Sequence, residues 1–318
     1  MHDSGAKDRF ERLAERYMKE GRHAEAIDLY KKLVDQHPGE DSYVFQLALA
    51  FKDAGKLDDA VECLEGLLEK ELKRKVFTGF AYDELVRIFR QEGQHERLVG
   101  VCESAVEAQP EDPALLFTLG DAYIRAGRPG DAVEIFLKLT AMDPESSLYF
   151  SHLGLACISA GDFDRARAAY EKSIAIEPEC ASLVHHKRGV ALSHYGHHEM
   201  AVSAFRDAIQ EKPEEALYFC DLGDALVRLG RIEEAGHAYD EAVRKGPSSA
   251  AAYLNRFGKS LLREKKTGEA VEAFKKAVEK EPANPFYTLH LAEAYVEAGL
   301  PEMAEDILKK LTTRGACT

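Results

Sequence analysis

The sequence predicts an all-α fold, a solenoid of about nine tandem repeats. Two observations carry this expectation. One eighteen-residue pattern returns at a spacing of 34 or 35 residues. Within it, apolar residues fall at helical spacing and are punctuated by Gly and Pro, with no alternating strand-like run between them.

The pattern is explicit in "GRHAEAIDLYKKLVDQHP" (21–38), "GRPGDAVEIFLKLTAMDP" (127–144), "GDFDRARAAYEKSIAIEP" (161–178), "GHHEMAVSAFRDAIQEKP" (196–213) and "GRIEEAGHAYDEAVRKGP" (230–247). Each segment runs Gly, four residues, Ala, three residues, an aromatic, and a closing Pro. Extending the register gives repeats 7–40, 41–74, 79–112, 113–146, 147–180, 182–215, 216–249, 251–284 and 285–318. A tail of residues 1–6, four extra residues at 75–78, and single residues at 181 and 250 remain.

The fourth repeat justifies the elements. Leu116, Leu119, Gly120 and Tyr123 share one helical face. Gly127 ends that helix, because a C-cap takes positive φ most cheaply with Gly. Ala132, Phe136 and Leu139 mark the face of a second helix, and Pro144 closes it. Gly120, Gly154, Gly189, Gly223 and Gly258 are small where two helices must approach. Ala26, Ala60, Ala132, Ala166, Ala201, Ala235, Ala270 and Ala304 are their counterparts on the second helix, and added bulk at either place would push the pair apart. A single repeat cannot bury its own face, so 7–318 reads as one stacked array.

This pattern resembles the tetratricopeptide repeat family over nearly the whole chain. The resemblance implies a helix–turn–helix per repeat and a right-handed α–α superhelix whose first helices line a concave, peptide-binding surface. Two departures stand out. The second repeat, "LEGLLEKELKRKV", lacks its closing Pro and carries four extra residues. Four residues are close to one turn, so its second helix is expected to be a turn longer, with a local break in pitch. In the eighth repeat Lys265 stands where Gly usually falls. The last repeat runs to Thr318, with Glu305 and Thr312 at places that hold Val or Ile elsewhere. We expect a true chain end there; the alternatives are truncation from a longer parent and burial of the uncapped repeat by self-association.

Formal net charge is −14, which disfavours nucleic acid and anionic membrane surfaces as partners. No signal peptide or 18-residue apolar run is present, and none of the six cysteines forms a CxxC pair. Reduced thiols and a cytoplasmic location follow as expectations. No nucleophile elbow, phosphate loop or dinucleotide fingerprint occurs, so neither an enzyme nor a cofactor is expected.

Reading inward-facing places from the resemblance gives an apolar strip over repeats four to seven: Phe117, Ile124, Leu148, Leu155, Ile158, Leu183, Val190, Leu217 and Val227. Arg125, Arg228, Lys259 and Arg263 border it, and His186 and His194 lie on the same side. A contiguous apolar strip marks an interaction surface; the alternative is packing between adjacent helices. The expected function is a scaffold or adaptor that docks an apolar, partly acidic peptide or helix. A subunit of a larger assembly, held by its edges or convex face, is the alternative, and a histidine-based metal module the third. Of the family's carboxylate clamp only the eighth repeat shows the residue types, Asn255 and Lys259, in swapped order, and the asparagine ladder is missing, since Asn255 and Asn284 are the chain's only asparagines.

Five of the twelve histidines fall in "LVHHKRGVALSHYGHH" (183–198). Gly196 interrupts the helix between His194 and His198, so they do not form an i, i+4 ligand pair. His198 takes a packing place that His23 and His95 also take. His185 and Arg188 instead replace apolar residues, as at Phe150 and Leu153. Arg188 must then snorkel or find a carboxylate, and this stretch is expected to be sensitive to pH.

Overall fold

A computed structural model describes residues 3–315, with side chains placed for residues 9–311. Those residues form eighteen α-helices in nine helix–turn–helix pairs, and no strand occurs among them. Two compact units result, Met1–Met142 and Asp143–Thr318.

The first unit holds α1 (Asp3–Lys19), α2 (His23–Gln36), α3 (Asp41–Asp53), α4 (Leu57–Arg74), α5 (Phe80–Gln91), α6 (His95–Ala108), α7 (Pro113–Arg125) and α8 (Pro129–Met142). Each helix packs on the next. Helix α1 takes in residues 3–6 of the expected tail; residues 1 and 2 lie outside the described region.

The second unit holds α9 (Ser147–Ser159), α10 (Phe163–Ile176), α11 (Ala181–His194), α12 (His198–Glu211), α13 (Ala216–Arg228), α14 (Ile232–Lys245), α15 (Ala250–Arg263), α16 (Thr267–Lys280), α17 (Pro285–Glu297) and α18 (Pro301–Gly315). The first helices α9, α11, α13, α15 and α17 also pack side by side. Single 3-10 turns, Pro178–Cys180 and Pro247–Ser249, precede α11 and α15. They account for the extra residues at 181 and 250.

The core follows from the register. A Cβ added at Gly120, Gly154, Gly189, Gly223 or Gly258 would meet the ring of Phe136, Tyr170, Phe205, Tyr239 or Phe274 at 2.6–2.7 Å. Those five rings are buried. The glycine's missing side chain is therefore the space in which the second helix's aromatic lies. The eight alanines expected to face the first helices are buried as well.

Turn geometry also matches. Gly127 and Gly161 take φ of 70° and 78°, and the next amide donates five residues back, Arg128 to Tyr123 O at 2.8 Å and Asp162 to Cys157 O at 2.9 Å. Lys265 adopts φ 58° in the same role, and Lys266 N reaches Leu261 O at 3.0 Å. Helix α4 has 18 residues against 14 in α2, the added turn read from the sequence, and ends on Lys75 at φ 56°. In the last repeat Glu305 is exposed, and the Thr312 side chain lies outside the described region. Cys63, Cys102, Cys157, Cys180 and Cys220 are free thiols.

Candidate functional site

Three first helices of the second unit, α9, α11 and α13, each carry a half-exposed large apolar side chain near their start. Leu148, Leu183 and Leu217 stand at equivalent places on α9, α11 and α13 and are 48, 45 and 50% exposed. Val190, two turns along α11, is 46% exposed. These four expected residues are available to a partner, and Leu155 is half-buried.

Ile158 and Val227 correct the sequence reading. They are 2 and 1% exposed and belong to the core. Ile158 lines the crevice between α9–α10 and α11–α12 beside Phe163 and Leu192, so it packs between adjacent helix pairs. In the first unit Phe117 is half-buried, its ring edge-on to Phe136 at 5.8 Å. Ile124 is half-buried too.

The basic border is partly spent. Arg125 Nε donates to Asp121 at 2.8 Å, and Arg90 shares that carboxylate at 3.1 Å. Arg228 Nη1 donates to Glu264 at 2.6 Å. Lys259 and Arg263 are exposed and make no ion pair among the described residues. Arg228 is thus a weaker candidate for orienting a ligand than Lys259 or Arg263.

A polar cluster that the sequence reading missed joins three successive first helices. His186 on α11 meets Asp221 of α13 at 2.6 Å and stacks on Tyr218 at 4.7 Å. Arg256 on α15 donates to Asp221, and through Nε to Asp224 at 2.8 Å. The Tyr239 hydroxyl donates to Asp224 Oδ1 at 2.6 Å. Burial opposes charge on Asp221, but the hydrogen bonds from His186 and Arg256 prevail and hold its carboxyl below the usual range. Burial likewise opposes charge on Arg256, and Asp224 and Asp221 raise its pKa. His186, Asp221 and Arg256 lie at successive 35-residue intervals. Carboxylates at 221 and 224 flanking Gly223 in "CDLGDALVR", with an arginine one repeat on, are the signal that could have revealed it.

Beside this cluster opens a cavity of about 440 Å³, lined by Val190, His194, Phe205, Asp224, Arg228 and Arg256 among others. One wall is apolar, and the rest offers guanidinium and imidazole donors and carboxylate acceptors. It can hold an amphipathic side chain.

His198, His23 and His95 are half-buried, each with Nδ1 enclosed and unpartnered, as a shared packing place implies. Arg188 finds its carboxylate within its own repeat, donating from Nη2 to Asp207 at 2.7 Å. No group of three or more His, Cys, Asp or Glu side chains among the described residues is arranged to hold a metal ion. No helix among them is long and apolar enough to cross a membrane.

Tetratricopeptide repeat models match residues 84–147, 117–179 and 195–250, and again 17–76 and 261–316. The chain belongs to the tetratricopeptide repeat family. BBSome complex member BBS4 of Bos taurus is 23% identical over 274 residues, covering 86% of this chain and 51% of that protein. TPR repeat-containing protein YpiA of Bacillus subtilis is 22% identical over 278 residues, covering 86% and 63%. The chain thus spans about half to two thirds of these relatives. A solved tetratricopeptide repeat protein from Parabacteroides merdae aligns over 80% of this chain and 98% of its own at TM-score 0.50 and 19% identity, a likeness of fold. Its tetratricopeptide repeats make this chain a protein–protein interaction scaffold in the general sense of the family.

Proposed function

We propose that this tetratricopeptide repeat chain is a non-enzymatic scaffold that docks a partner peptide or helix on the first helices of its second unit. The observation that carries the reading is the repeated exposure of Leu148, Leu183 and Leu217 at equivalent places on α9, α11 and α13. One such residue means little, but a series on adjacent elements is an interaction surface. Covering the open half of each of these side chains would contribute about 1 kcal/mol. Part of that sum is lost to the cost of association, so the cavity beside Val190 and the cations Lys259 and Arg263 supply orientation and part of the affinity.

The test is affinity capture from the source cell with the full chain, the Leu183→Ser/Leu217→Ser variant, and an outer-face control, Arg206→Glu on α12. The groove reading expects the leucine variant to lose the partners and the control to keep them. The reverse pattern would sink it. It would instead favour an assembly subunit held by its convex face, a reading to which the likeness to a member of the BBSome complex lends support.

A further inference from the structure

One place on the first helix of each repeat is apolar in eight of the nine copies. It holds Leu13, Leu47, Leu85, Leu119, Leu153, Leu222 and Leu291, with Phe257 in the eighth repeat. All of these side chains are buried or half-buried. The sixth repeat has Arg188 there, with its side chain only 15% exposed. A guanidinium carries five N–H donors. Among the described residues one of them has a partner: Nη2 donates to Asp207 at 2.7 Å. Nε is enclosed without a partner. An apolar residue would be the more stable choice at such a place, so packing does not explain this arginine.

Arg188 lines a crevice of about 230 Å³ between the pairs α9–α10 and α11–α12. Ile158, Phe163 and Leu192 form its apolar wall, and Met200, 42% exposed, stands at its opening. The other charges on the lining are Asp164 and Arg167. They pair with each other at 3.1 Å in exposed positions and so cancel. Asp207 is not part of the lining. Arg188 is therefore the one uncancelled charge on the crevice wall, with donors to spare. An unused guanidinium donor beside an apolar wall calls for an anionic acceptor, and hydrogen bonds from Arg to carboxylate are among the strong ones. A cavity of about 150 Å³ is enough for a benzene ring. This crevice has room for one such body and its carboxylate, not for a chain segment.

We propose that the crevice binds a small free carboxylate whose body is a single aromatic ring or a short branched chain. The body lies among Ile158, Phe163, Leu192 and Met200, and the carboxylate accepts from Arg188. These residues come from α9, α10, α11 and α12, so the ligand braces the junction of two successive repeats. It uses none of the exposed leucines of the groove and does not rest on the groove reading.

The test titrates benzoate and isovalerate into the full chain and follows the methyl signals of Ile158, Leu192 and Met200 by NMR. Saturable shifts of these signals in the millimolar range are expected for at least one of the two, the affinity open to so small a body. Arg188→Leu installs the residue that the other repeats hold and should fold at least as stably as the wild type. Its expected loss of roughly tenfold or more in affinity therefore reads the guanidinium and not unfolding. Arg188→Lys should keep part of the affinity. Met200→Trp, at an exposed position on α12, should fill the opening and abolish the shifts of Ile158 and Leu192 with the charge intact. Benzamidine, the same ring with a cationic head, should not bind. Leu183→Ser/Leu217→Ser should leave the titration unchanged, so failure here is distinct from failure of the groove reading. The inference is overturned if neither carboxylate gives a saturable shift, if Arg188→Leu binds as tightly as the wild type, or if benzamidine binds as tightly as benzoate.

Discussion

His186 and Asp221 meet at 2.6 Å across the packing of α11 on α13, and Arg256 reaches the same carboxylate from α15. One aspartate therefore ties together the first helices of three consecutive repeats. Asp221→Asn keeps the shape and removes the charge that both partners face. It should cost about 2 kcal/mol in denaturant unfolding. The loss should depend on pH. Asp221 has a folded pKa below its ordinary 3.8, so its contribution is present above 3.8 and is lost as pH falls through the folded value. Wild type and variant should therefore converge in stability in acid below that point. A gap that stays constant into acid would show that the charge contributes nothing.

The glycine register makes a paired prediction. A Cβ at Gly223 would sit 2.6 Å from the Tyr239 ring. That ring cannot yield easily, because it is fully buried, stacked on Phe257 at 4.6 Å and held by Asp224. Gly223→Ala should destabilise by about 2 kcal/mol, despite the better helix propensity of Ala. Gly236→Ala, on α14 with nothing within 4 Å of its added Cβ, should instead stabilise by about 0.5–1 kcal/mol. Thermal melts of the two variants should move in opposite directions.

Lys265 holds a left-handed turn at φ 58° where other repeats use Gly. An L side chain there costs about 1 kcal/mol, and its exposed position provides no compensating burial. Lys265→Gly should raise the denaturation midpoint by a corresponding amount. The reciprocal Gly230→Lys, at φ 74°, should lower it.

Periodicity reveals whatever repeats. The turn glycines, the glycine–aromatic contacts and the lengthened α4 could all be read from the sequence, because aligned copies make both rule and departure visible. Lys265 shows this well: its backbone conformation follows from its place in the register. The polar cluster is different. Asp221, Asp224 and Arg256 each look like a solvated helix charge, and only packing of one first helix on the next brings them together. Ile158 and Val227 were misplaced for a related reason. A side chain near the end of a first helix can lean toward the open face or onto the adjoining pair, and a rotation of part of a turn decides which. Arg228 looks free in sequence because Glu264, its partner, lies 36 residues away.

His185 and Arg188 put the remaining anomaly to a direct test. They stand on α11 where Phe150 and Leu153 stand on α9. Arg188 is 15% exposed on its side chain and pairs with Asp207, while its Nε and His185 Nδ1 are enclosed without partners. A crevice of about 230 Å³ beside Arg188 is lined by Ile158, Phe163, Leu192 and Met200. Asp207 is 42% exposed, so removing the arginine leaves no buried charge behind. Arg188→Leu with His185→Phe should therefore stabilise the protein by about 1–2 kcal/mol. Burial, and then Arg188, lowers the His185 pKa from 6.5, against the weaker opposing pull of Asp207 and Glu211. The fold thus prefers the neutral ring. Its stability is intact above 6.5 and is lost as pH falls below that value, where the unfolded chain binds the proton more readily. His198 and His290 are lowered chiefly by burial too and add to the same loss. The wild-type melting temperature should drop between pH 7.5 and 5.5, and the double variant should retain part of that drop through His198 and His290. Equal drops in the two proteins would remove His185 from the pH response.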